Sequence, residues 1–429
     1  MRTLRIGETA GAVAISSADD FSEQWIRKGS RDYGRASLAL FLAGFSSFSL
    51  IYCVQPLLPE FKSAFGLSPA TASLALSLTT GTLALAILAS GAFSQLFSRG
   101  RLMFASMALA ALCNLAAAVA PGWYWLLAAR TLEGLVLGGV PAIAMAYLAE
   151  EIEPAHLGRA MGLYVGGTAF GAMMGRVGMG VITEFASWRM ALAVMGLTGI
   201  AAALGFLWLL PASRNFTVTR GTPFIRHIET WAAHLRKPVL AQLFFIGFLL
   251  TSIFVTVFNY TTFRLVGEPY GLGQTAISMI FLTFGFGIVS SSVGGALADR
   301  FGRRTMLLIG FLTVFFGIML TLFDVMPLII AGIALITTGF FIGHSAASGA
   351  IGANAGSAKS HASSLYLLFY YMGSSITGSI GGWFWQHGGW PWVAILAGLC
   401  ALTGAAMTLT IPPAKTAKGL ARSLMKRMR

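Results

Sequence analysis

Residues 188–210 read WRMALAVMGLTGIAAALGFLWLL and carry a single charge, at Arg189. A helix of about 20 apolar residues crosses the hydrocarbon core of a bilayer. This run is apolar on every side, without the period-two alternation of a barrel strand. Similar runs recur along the chain, which is 56% hydrophobic and 10% charged, whereas a soluble domain carries about 25% charged residues. The sequence therefore predicts an all-α membrane protein.

Twelve transmembrane helices are predicted from the apolar runs and the short polar breaks between them. The predicted spans are residues 36–58, 72–96, 102–120, 123–149, 158–182, 188–210, 239–262, 274–298, 305–323, 327–349, 362–386 and 390–411. Several tryptophans lie near predicted span ends, where an interfacial belt is expected. They are Trp123, Trp125, Trp188, Trp383, Trp390 and Trp392.

The basic residues predict the orientation of the spans, because Lys and Arg accumulate in cytoplasmic loops. With both termini placed inside, the basic residues left in outer loops are Lys62, Arg189 and Arg264, while Arg130 and Arg176 fall within spans. The net charge of +14 is then explained by topology and by attraction to lipid, and nucleic-acid binding is not expected. We predict a multi-pass protein of the bacterial inner membrane with both termini in the cytoplasm.

An internal repeat relates the two halves of the chain. The fifth predicted span matches the eleventh without gaps at an offset of 202 residues. The matched pairs are Tyr164 with Tyr366, Gly171 with Gly373, Gly180 with Gly382, and Trp188 with Trp390. Two loop residues match at a nearby offset, so both halves have the same orientation. Parallel six-helix repeats with a binding site between them, near mid-membrane, are a known plan of transport proteins.

The repeat predicts two parallel six-helix bundles and three cytoplasmic segments. These are an N-terminal tail (1–35), a first bundle (36–210), a linker (211–238), a second bundle (239–411) and a basic tail (412–429). The linker is predicted to contain a short surface helix at 224–235, because its apolar residues recur at helical spacing. The three cysteines lie in apolar spans without ligand spacing, so no metal site, disulfide or cofactor is predicted.

The loop after the eighth predicted span carries a dense motif. It reads Gly295-Ala-Leu-Ala-Asp299-Arg-Phe-Gly302-Arg303-Arg304, and it resembles the signature G-x-L-x-D-R-x-G-R-[KR] of the major facilitator superfamily. Gly295 would let two helices approach closely, and Asp299 can bind a helix N-terminus or a cation. These residues predict a latch, that is, a set of charged contacts that stabilises one conformation of the protein. The alternative is a loop whose arginines only set the orientation of the neighbouring spans.

The equivalent loop of the first half departs from this signature. It runs from Gly91 to Arg101, with Gln95 in place of the acid and Ser98 in place of the second glycine, and Arg99 is retained. A charge-based latch is therefore not expected in the first half, although Gln95 could form hydrogen bonds with the same partners.

Two further segments carry the resemblance. Arg130-Thr-Leu-Glu133-Gly134 is similar to the signature R-x-x-[QE]-G, which the family associates with proton coupling. The fifth span is rich in glycine like the family's antiporter signature, but Arg176 stands where that signature has proline. Over its whole length the chain resembles major facilitator permeases, closest to inner-membrane transporters of the drug and sugar efflux branch. The resemblance implies ion-driven export of small molecules and does not identify the molecule.

Three ionisable residues within spans are candidates for proton coupling, because a buried charge in a membrane is costly and usually functional. They are Arg130, Glu133 and Arg176. Arg130 and Glu133 lie three residues apart on one helix face, so a purely structural salt bridge is the alternative. The excess of positive charge favours a neutral or anionic substrate over a cationic one.

Neutral polar and aromatic residues are candidates for substrate binding. Tyr52 and Gln55 near the end of the first span correspond to Asn259 and Tyr260 in the seventh, and they could equally form bonds between helices. The remaining candidates are His344 in the tenth span and Tyr366 and Tyr370 in the eleventh. For these the alternative is ordinary packing.

The sequence thus predicts a secondary transporter, proton-coupled and exporting small organic molecules. The alternatives are proton-coupled uptake of a sugar or an organic anion, and a non-transporting membrane sensor. An enzyme is not expected, because the chain has no HExxH motif and no nucleophile elbow in a plausible setting. The expected partners are a small-molecule substrate, protons and the lipid bilayer, with the chain acting as a monomer.

Overall fold

The structure is a computed structural model that describes residues 25–93, 98–215, 223–356 and 358–412. The predicted tails therefore lie largely outside the described residues. Those residues form α-helices, short 3-10 turns and one isolated β-bridge between Ile26 and Ile152, which confirms the predicted all-α fold class.

The helices are numbered α1 to α15 along the chain. Those before the linker are α1 (Arg31–Tyr52), α2 (Leu58–Phe65), α3 (Pro69–Phe93), α4 (Arg99–Ala118), α5 (Trp123–Leu137), α6 (Val140–Glu151), α7 (Leu157–Phe185) and α8 (Trp188–Leu209). Those from the linker onward are α9 (Phe224–Leu235), α10 (Pro238–Val266), α11 (Gln274–Met279), α12 (Phe284–Phe301), α13 (Arg303–Leu320), α14 (Met326–Asn354) and α15 (Lys359–Thr410).

Ten segments of the described residues are long and apolar enough to cross a membrane. One of them, Lys359–Thr410, contains two predicted spans on either side of a non-helical break at Gly388 and Gly389. The predicted span 123–149 is instead two helices, α5 and α6, interrupted at Gly138 and Gly139. The multi-pass character is clear, while the number twelve and the bundle boundaries stay predictions.

The first span also differs from its prediction, because α1 ends at Tyr52 rather than near residue 58. Pro56 explains the break: its ring would clash with the carbonyl four residues earlier, and it has no N–H to continue the helix. The chain then makes a 3-10 turn at Gln55–Leu57 before α2 begins. The break leaves backbone carbonyls at the end of α1 without helical partners.

Glycines bring equivalent helices together in the two halves. A Cβ on Gly171 of α7 would clash with the backbone oxygen of Phe45 in α1. A Cβ on Gly373 of α15 would clash in the same way with Phe248 in α10. Since Gly171 and Gly373 are matched by the sequence repeat, these two helix pairs share one mode of close packing.

The two halves meet from mid-membrane to the predicted outer face. Near the middle, Ser375 Oγ donates to Ser77 O at 2.6 Å, and Ser374 Oγ lies 3.4 Å from Thr80 Oγ1. At the outer end, Gln274 Nε2 donates to a carboxylate oxygen of Glu60 at 2.9 Å. The hydrogen bonds between the described residues of the two halves all lie in this region, so the molecule is closed toward its predicted outer side.

The linker helix α9 has the predicted bounds, Phe224–Leu235. It packs on the start of α15, where His227 Nδ1 and His361 Nε2 lie 2.8 Å apart and Trp231 Nε1 donates to Ser364 Oγ at 3.2 Å. The linker helix is thereby attached to the second half, whereas the first residues of the linker bind the first half, where Arg214 N donates to Glu151.

The predicted tryptophan belt is wrong for three of its members. Trp123, Trp188 and Trp390 are buried, with 8%, 9% and 6% of their surface exposed. Trp123 and Trp188 pack against Phe61 of α2, while Trp390 donates a hydrogen bond from Nε1 to Thr321 Oγ1 at 3.1 Å. Position near a helix end therefore did not decide whether the ring faces lipid.

A cysteine pair tests the contact between the halves. In a background with the native cysteines replaced, Thr80→Cys with Ser374→Cys should form a disulfide on oxidation, because the two side-chain oxygens lie 3.4 Å apart. Cross-linking would be measured by loss of maleimide-reactive thiols in the purified protein.

The matched control is Thr80→Cys with Ser364→Cys, ten residues earlier on the same helix and therefore about 15 Å away along its axis. This pair should stay reduced. Equal cross-linking of both pairs would contradict the described contact.

Candidate functional site

Arg130 binds the free carbonyls at the broken end of α1. Its Nη1 donates to Leu50 O at 3.0 Å, its Nη2 to Ile51 O at 2.7 Å, and its Nε to Ala75 O of α3 at 3.2 Å. An unpaired backbone group in the membrane interior costs several kcal/mol. One side chain of α5 therefore satisfies the end of α1 and joins three helices.

Glu133 lies beside Arg130 at the end of α1. We call Arg130, Glu133 and the carbonyl groups of Leu50, Ile51 and Ala75 the Arg130 cluster. Glu133 Oε2 accepts a hydrogen bond from Arg130 Nη1 at 2.7 Å, and both side chains are fully buried. The other oxygen, Glu133 Oε1, is buried without a hydrogen-bond partner. The salt bridge considered from the sequence is thus present, but it satisfies only half of the carboxylate.

Close packing of α5 on α3 holds the Arg130 cluster in place. A Cβ on Gly134 would clash with Thr79 O, and one on Gly138 would clash with Ala86. The hydroxyl of Thr79 donates to Arg130 O at 3.0 Å. The glycine after Glu133 in the sequence motif is therefore explained by the approach of the two helices.

Arg176 of α7 lies in a different setting. Its Nε donates to Gln55 Oε1 at 2.6 Å, and its Nη1 donates to Ala172 O of its own helix. The guanidinium carbon lies 4.2 Å from the ring centroid of Tyr52 and 4.8 Å from that of Phe284. Arg176 is 1% exposed, and no ion pair between described residues includes it.

Gln55 connects Arg176 to the second half. Its Nε2 donates to Asn259 Oδ1 of α10 at 2.7 Å, while Asn259 Nδ2 is fully buried without a partner. We call Arg176, Gln55, Asn259 and Tyr52 the Arg176 cluster. It contains three of the predicted substrate-binding residues and lies on the contact between the halves.

The predicted group of three charges is divided in the structure. Glu133 pairs with Arg130, whereas Arg176 bonds to neutral oxygens. Both clusters attach to the last residues of α1 or the turn after it. These three residues thus form one neutralised charge pair and one separate buried cation.

Tyr260 does not join the Arg176 cluster. It is fully buried, and its hydroxyl donates to Gly378 O of α15 at 2.6 Å. In this conformation it forms the bond between helices that the sequence left as the alternative.

His344, Tyr366 and Tyr370 are brought together in the second half. His344 Nδ1 lies 2.8 Å from the Tyr366 hydroxyl, and its ring centroid is 5.0 Å from that of Tyr370. His344 and Tyr370 are partly exposed, while Tyr366 is buried. A row of rings continues from them to Arg176, and we call it the aromatic wall. Its members are Phe284, Phe254, Phe340, His344 and Tyr370.

The predicted gating residues are described only in part. Gln95 lies outside the described residues. For Gly91 and Asp299 the backbone is described, but the packing around them is not. Arg99 binds both carboxylate oxygens of Glu150, at 2.6 and 3.1 Å. The first half therefore has a charged contact at this loop, which was not expected from the loss of the acid at Gln95.

In the second loop, Arg303 donates to Gly349 O of α14. Gly302 has a φ of 88° between α12 and α13, a backbone conformation that favours glycine. The expected role of Gly295 in close helix approach is wrong in this conformation, because an added Cβ would meet nothing within 4 Å.

Sequence reasoning missed two sets of contacts. Asn114 of α4 donates to Leu192 O at 2.8 Å, and its Oδ1 lies 3.5 Å from Arg130 Nη1; a lone amide in an apolar run was its signal. The rings of Phe281 and Phe284 lie near Arg176. The chain has many phenylalanines in apolar runs, so nothing in the sequence distinguished these two.

The Arg130 cluster predicts a large loss of stability in Arg130→Met. This variant leaves Glu133 as an uncompensated buried charge, which costs about 3–5 kcal/mol when one partner of a buried pair is removed. We expect a marked fall in the thermal unfolding midpoint of the purified protein. Adding Glu133→Gln should recover part of the loss.

Arg189→Met is the matched control, because Arg189 also donates to carbonyls at a helix end, Ala118 O and Ala120 O, without a carboxylate partner. It should lower the midpoint less. Equal effects of the two single variants would show that Glu133 adds nothing to the cost.

Comparison with known proteins agrees with this architecture. The model of the Major Facilitator Superfamily matches residues 40–355 and 265–426. The chain is 43% identical to YybF, an uncharacterized MFS-type transporter of Bacillus subtilis (strain 168), over 87% of this chain and 91% of the relative. It is 41% identical to the inner membrane transport protein YnfM of Escherichia coli (strain K12), over 89% and 92%.

The fold is also similar to a crystal structure of the peptide transporter POT in complex with sulfate, with a TM-score of 0.73 at 12% identity, covering 91% of this chain and 96% of that one. The curated relatives are named as transporters, which confirms the prediction of a transporter rather than an enzyme and the resemblance to inner-membrane permeases of the major facilitator superfamily. The chain belongs to the Major Facilitator Superfamily and is a multi-pass membrane transporter.

Proposed function

We propose that this transporter exports small organic molecules in exchange for protons, by alternating access, from a bacterial inner membrane in which both termini are cytoplasmic. The observation that carries the proposal is Glu133, which is fully buried with one oxygen bound to Arg130 and the other without a partner. One chain supplies both clusters, and we propose that it acts as a monomer.

Proton binding at Glu133 would change the charge of the Arg130 cluster. The ionised carboxylate is paired with Arg130, whereas the protonated form is neutral and gains an O–H donor. Arg130 would keep its carbonyl partners Leu50, Ile51 and Ala75 in either form. Protonation therefore alters the attraction between Arg130 and Glu133 without removing the support for α1.

The Arg130 cluster is connected to the contacts between the halves. It binds α1 just before Gln55, and it binds α3 just before Ser77 and Thr80; these three residues contact the second half. A proton shifts the equilibrium between two conformations only through a difference in affinity for them. A rearrangement of α1 and α3 on protonation would supply that difference.

Export is favoured over uptake by the glycine-rich α7, which is similar to the antiporter signature of the family. Uptake of an organic anion together with protons is the second candidate, because the buried Arg176 without an acidic partner among the described residues favours an anionic substrate in either direction of transport. The two differ in the direction of substrate movement under the same proton gradient, which oriented vesicles distinguish.

The experiment that tests coupling uses proteoliposomes with an imposed pH gradient and a panel of neutral, anionic and cationic compounds. Substrate-induced proton movement, followed with an enclosed pH-sensitive dye, should be lost in Glu133→Gln because that side chain cannot ionise. The variant should still be produced and inserted.

Glu268→Gln is the control, because Glu268 lies exposed in the loop after α10, and it should transport like the unmodified protein. Full gradient-driven transport by Glu133→Gln would remove Glu133 from the coupling mechanism.

A further inference from the structure

We propose that the substrate is a small organic carboxylate whose anionic group binds Arg176 and whose planar apolar body lies along the aromatic wall. This inference rests on the proposed transport function and adds the chemical class of the substrate. It follows from the charge of Arg176, from the unpartnered amide of Asn259 and from the rings that lead from Arg176 to the partly exposed side chains of His344 and Tyr370.

Arg176 lacks the counter-charge that the equally buried Arg130 has. Arg130 is paired with Glu133 and bonded to three backbone oxygens. Arg176 is equally buried, but its two hydrogen bonds go to the neutral oxygens of Gln55 and Ala172. A guanidinium has five N–H donors in a planar fork that matches a carboxylate. A buried cation with spare donors and no acid is a site for an anion.

Asn259 supplies a second donor at the same place. Its Nδ2 is fully buried without a partner, while its Oδ1 accepts from Gln55 Nε2. Gln55 is therefore a neutral amide held between Arg176 on one half and Asn259 on the other. A carboxylate that displaces this amide could accept from Arg176 with one oxygen and, after rotation of the Asn259 amide, from Nδ2 with the other.

The aromatic wall indicates the shape of the rest of the substrate. The ring centroid of Phe284, next to Arg176, is 5.3 Å from that of Phe254, which lies 4.1 Å from that of Phe340. Phe340 is followed by His344 and Tyr370, which are partly exposed. Flat rings offer large apolar contact area and stack on planar groups. Phe254, Phe284 and Phe340 are buried in this conformation, so a planar, unsaturated or aromatic acid would stack first on His344 and Tyr370 and would reach the other rings as the halves separate.

Displacement of Gln55 would also affect the closure of the outer side. The bond from Gln55 to Asn259 is one of the contacts between the halves. A carboxylate that competes for Arg176 and Asn259 removes it. Substrate binding and loosening of the outer contact would then be one event.

The experiment measures binding to the full-length purified protein in detergent, without a proton gradient. The probes are benzoate, cinnamate and 2-naphthoate, each compared with its primary amide, and binding is followed by the thermal unfolding midpoint and by tryptophan fluorescence. At least one carboxylate should raise the midpoint, and its amide should bind at least about tenfold more weakly.

Gln55→Glu is the decisive variant because it supplies the missing counter-charge in place. Gln55 Oε1 already accepts from Arg176 Nε at 2.6 Å, so a glutamate can keep that contact and can accept from the Asn259 amide after its rotation. The variant should unfold at the same or a higher temperature, while carboxylate affinity falls at least about tenfold. Arg176→Lys keeps the positive charge but loses the two parallel N–H donors of the guanidinium, so it should retain part of the affinity for the carboxylate.

Three results would overturn the inference. They are no stabilisation by any carboxylate of the panel, equal affinity for acids and amides, and unchanged carboxylate affinity in a folded Gln55→Glu. The proposed proton coupling is tested separately, because Glu133→Gln should still bind the carboxylate. If binding depends on Arg176 but no gradient drives transport, the proposed function fails and the substrate class stands.

Discussion

The structure depends on the need to satisfy backbone carbonyls inside a membrane. Pro56 ends α1 at Tyr52, and Arg130 binds the carbonyls of Leu50 and Ile51 that the break leaves free. Because water is absent, no solvent could replace that side chain. The break places Gln55 in a 3-10 turn rather than in the α-helix, and from there its side chain reaches Asn259. A local backbone requirement thus positions both charged clusters and the contact between the halves.

The two halves share their packing and differ in their chemistry. Gly171 and Gly373 bring matching helix pairs to the same close approach. In the first half, however, α1 is broken and surrounded by buried charges, whereas α10 runs unbroken from Pro238 to Val266. The second half contributes rings rather than ions to the interface. At the interface, the first half therefore contributes charged side chains and the second half contributes aromatic rings. The Arg176 cluster lies where the two meet.

Helical spacing within one segment could be read from the sequence, and contacts between segments could not. The apolar runs predicted the membrane fold, and the three-residue spacing predicted that Arg130 meets Glu133. The separation of Arg176 from Glu133 was not predictable, because it depends on which side of α1 each helix packs. The burial of Trp188 and Trp390 was missed for the same reason: a residue near a helix end faces lipid or protein according to its neighbours. Pro56 was visible, but the residue that compensates for it lies far along the chain.

The strip of contact between α3 and α15 is made of small and hydroxyl side chains, among them Ser77, Thr80, Ser374 and Ser375. When such a surface separates, hydroxyls such as those of Ser374 and Ser375 can exchange their protein partners for water molecules with little enthalpic loss. The strip can therefore wet and dry repeatedly, unlike an apolar core, whose exposure to water is opposed by the hydrophobic effect. In the proposed transport cycle, opening at this seam would therefore cost little free energy, and the charged and amide groups beside it would set the direction of the cycle.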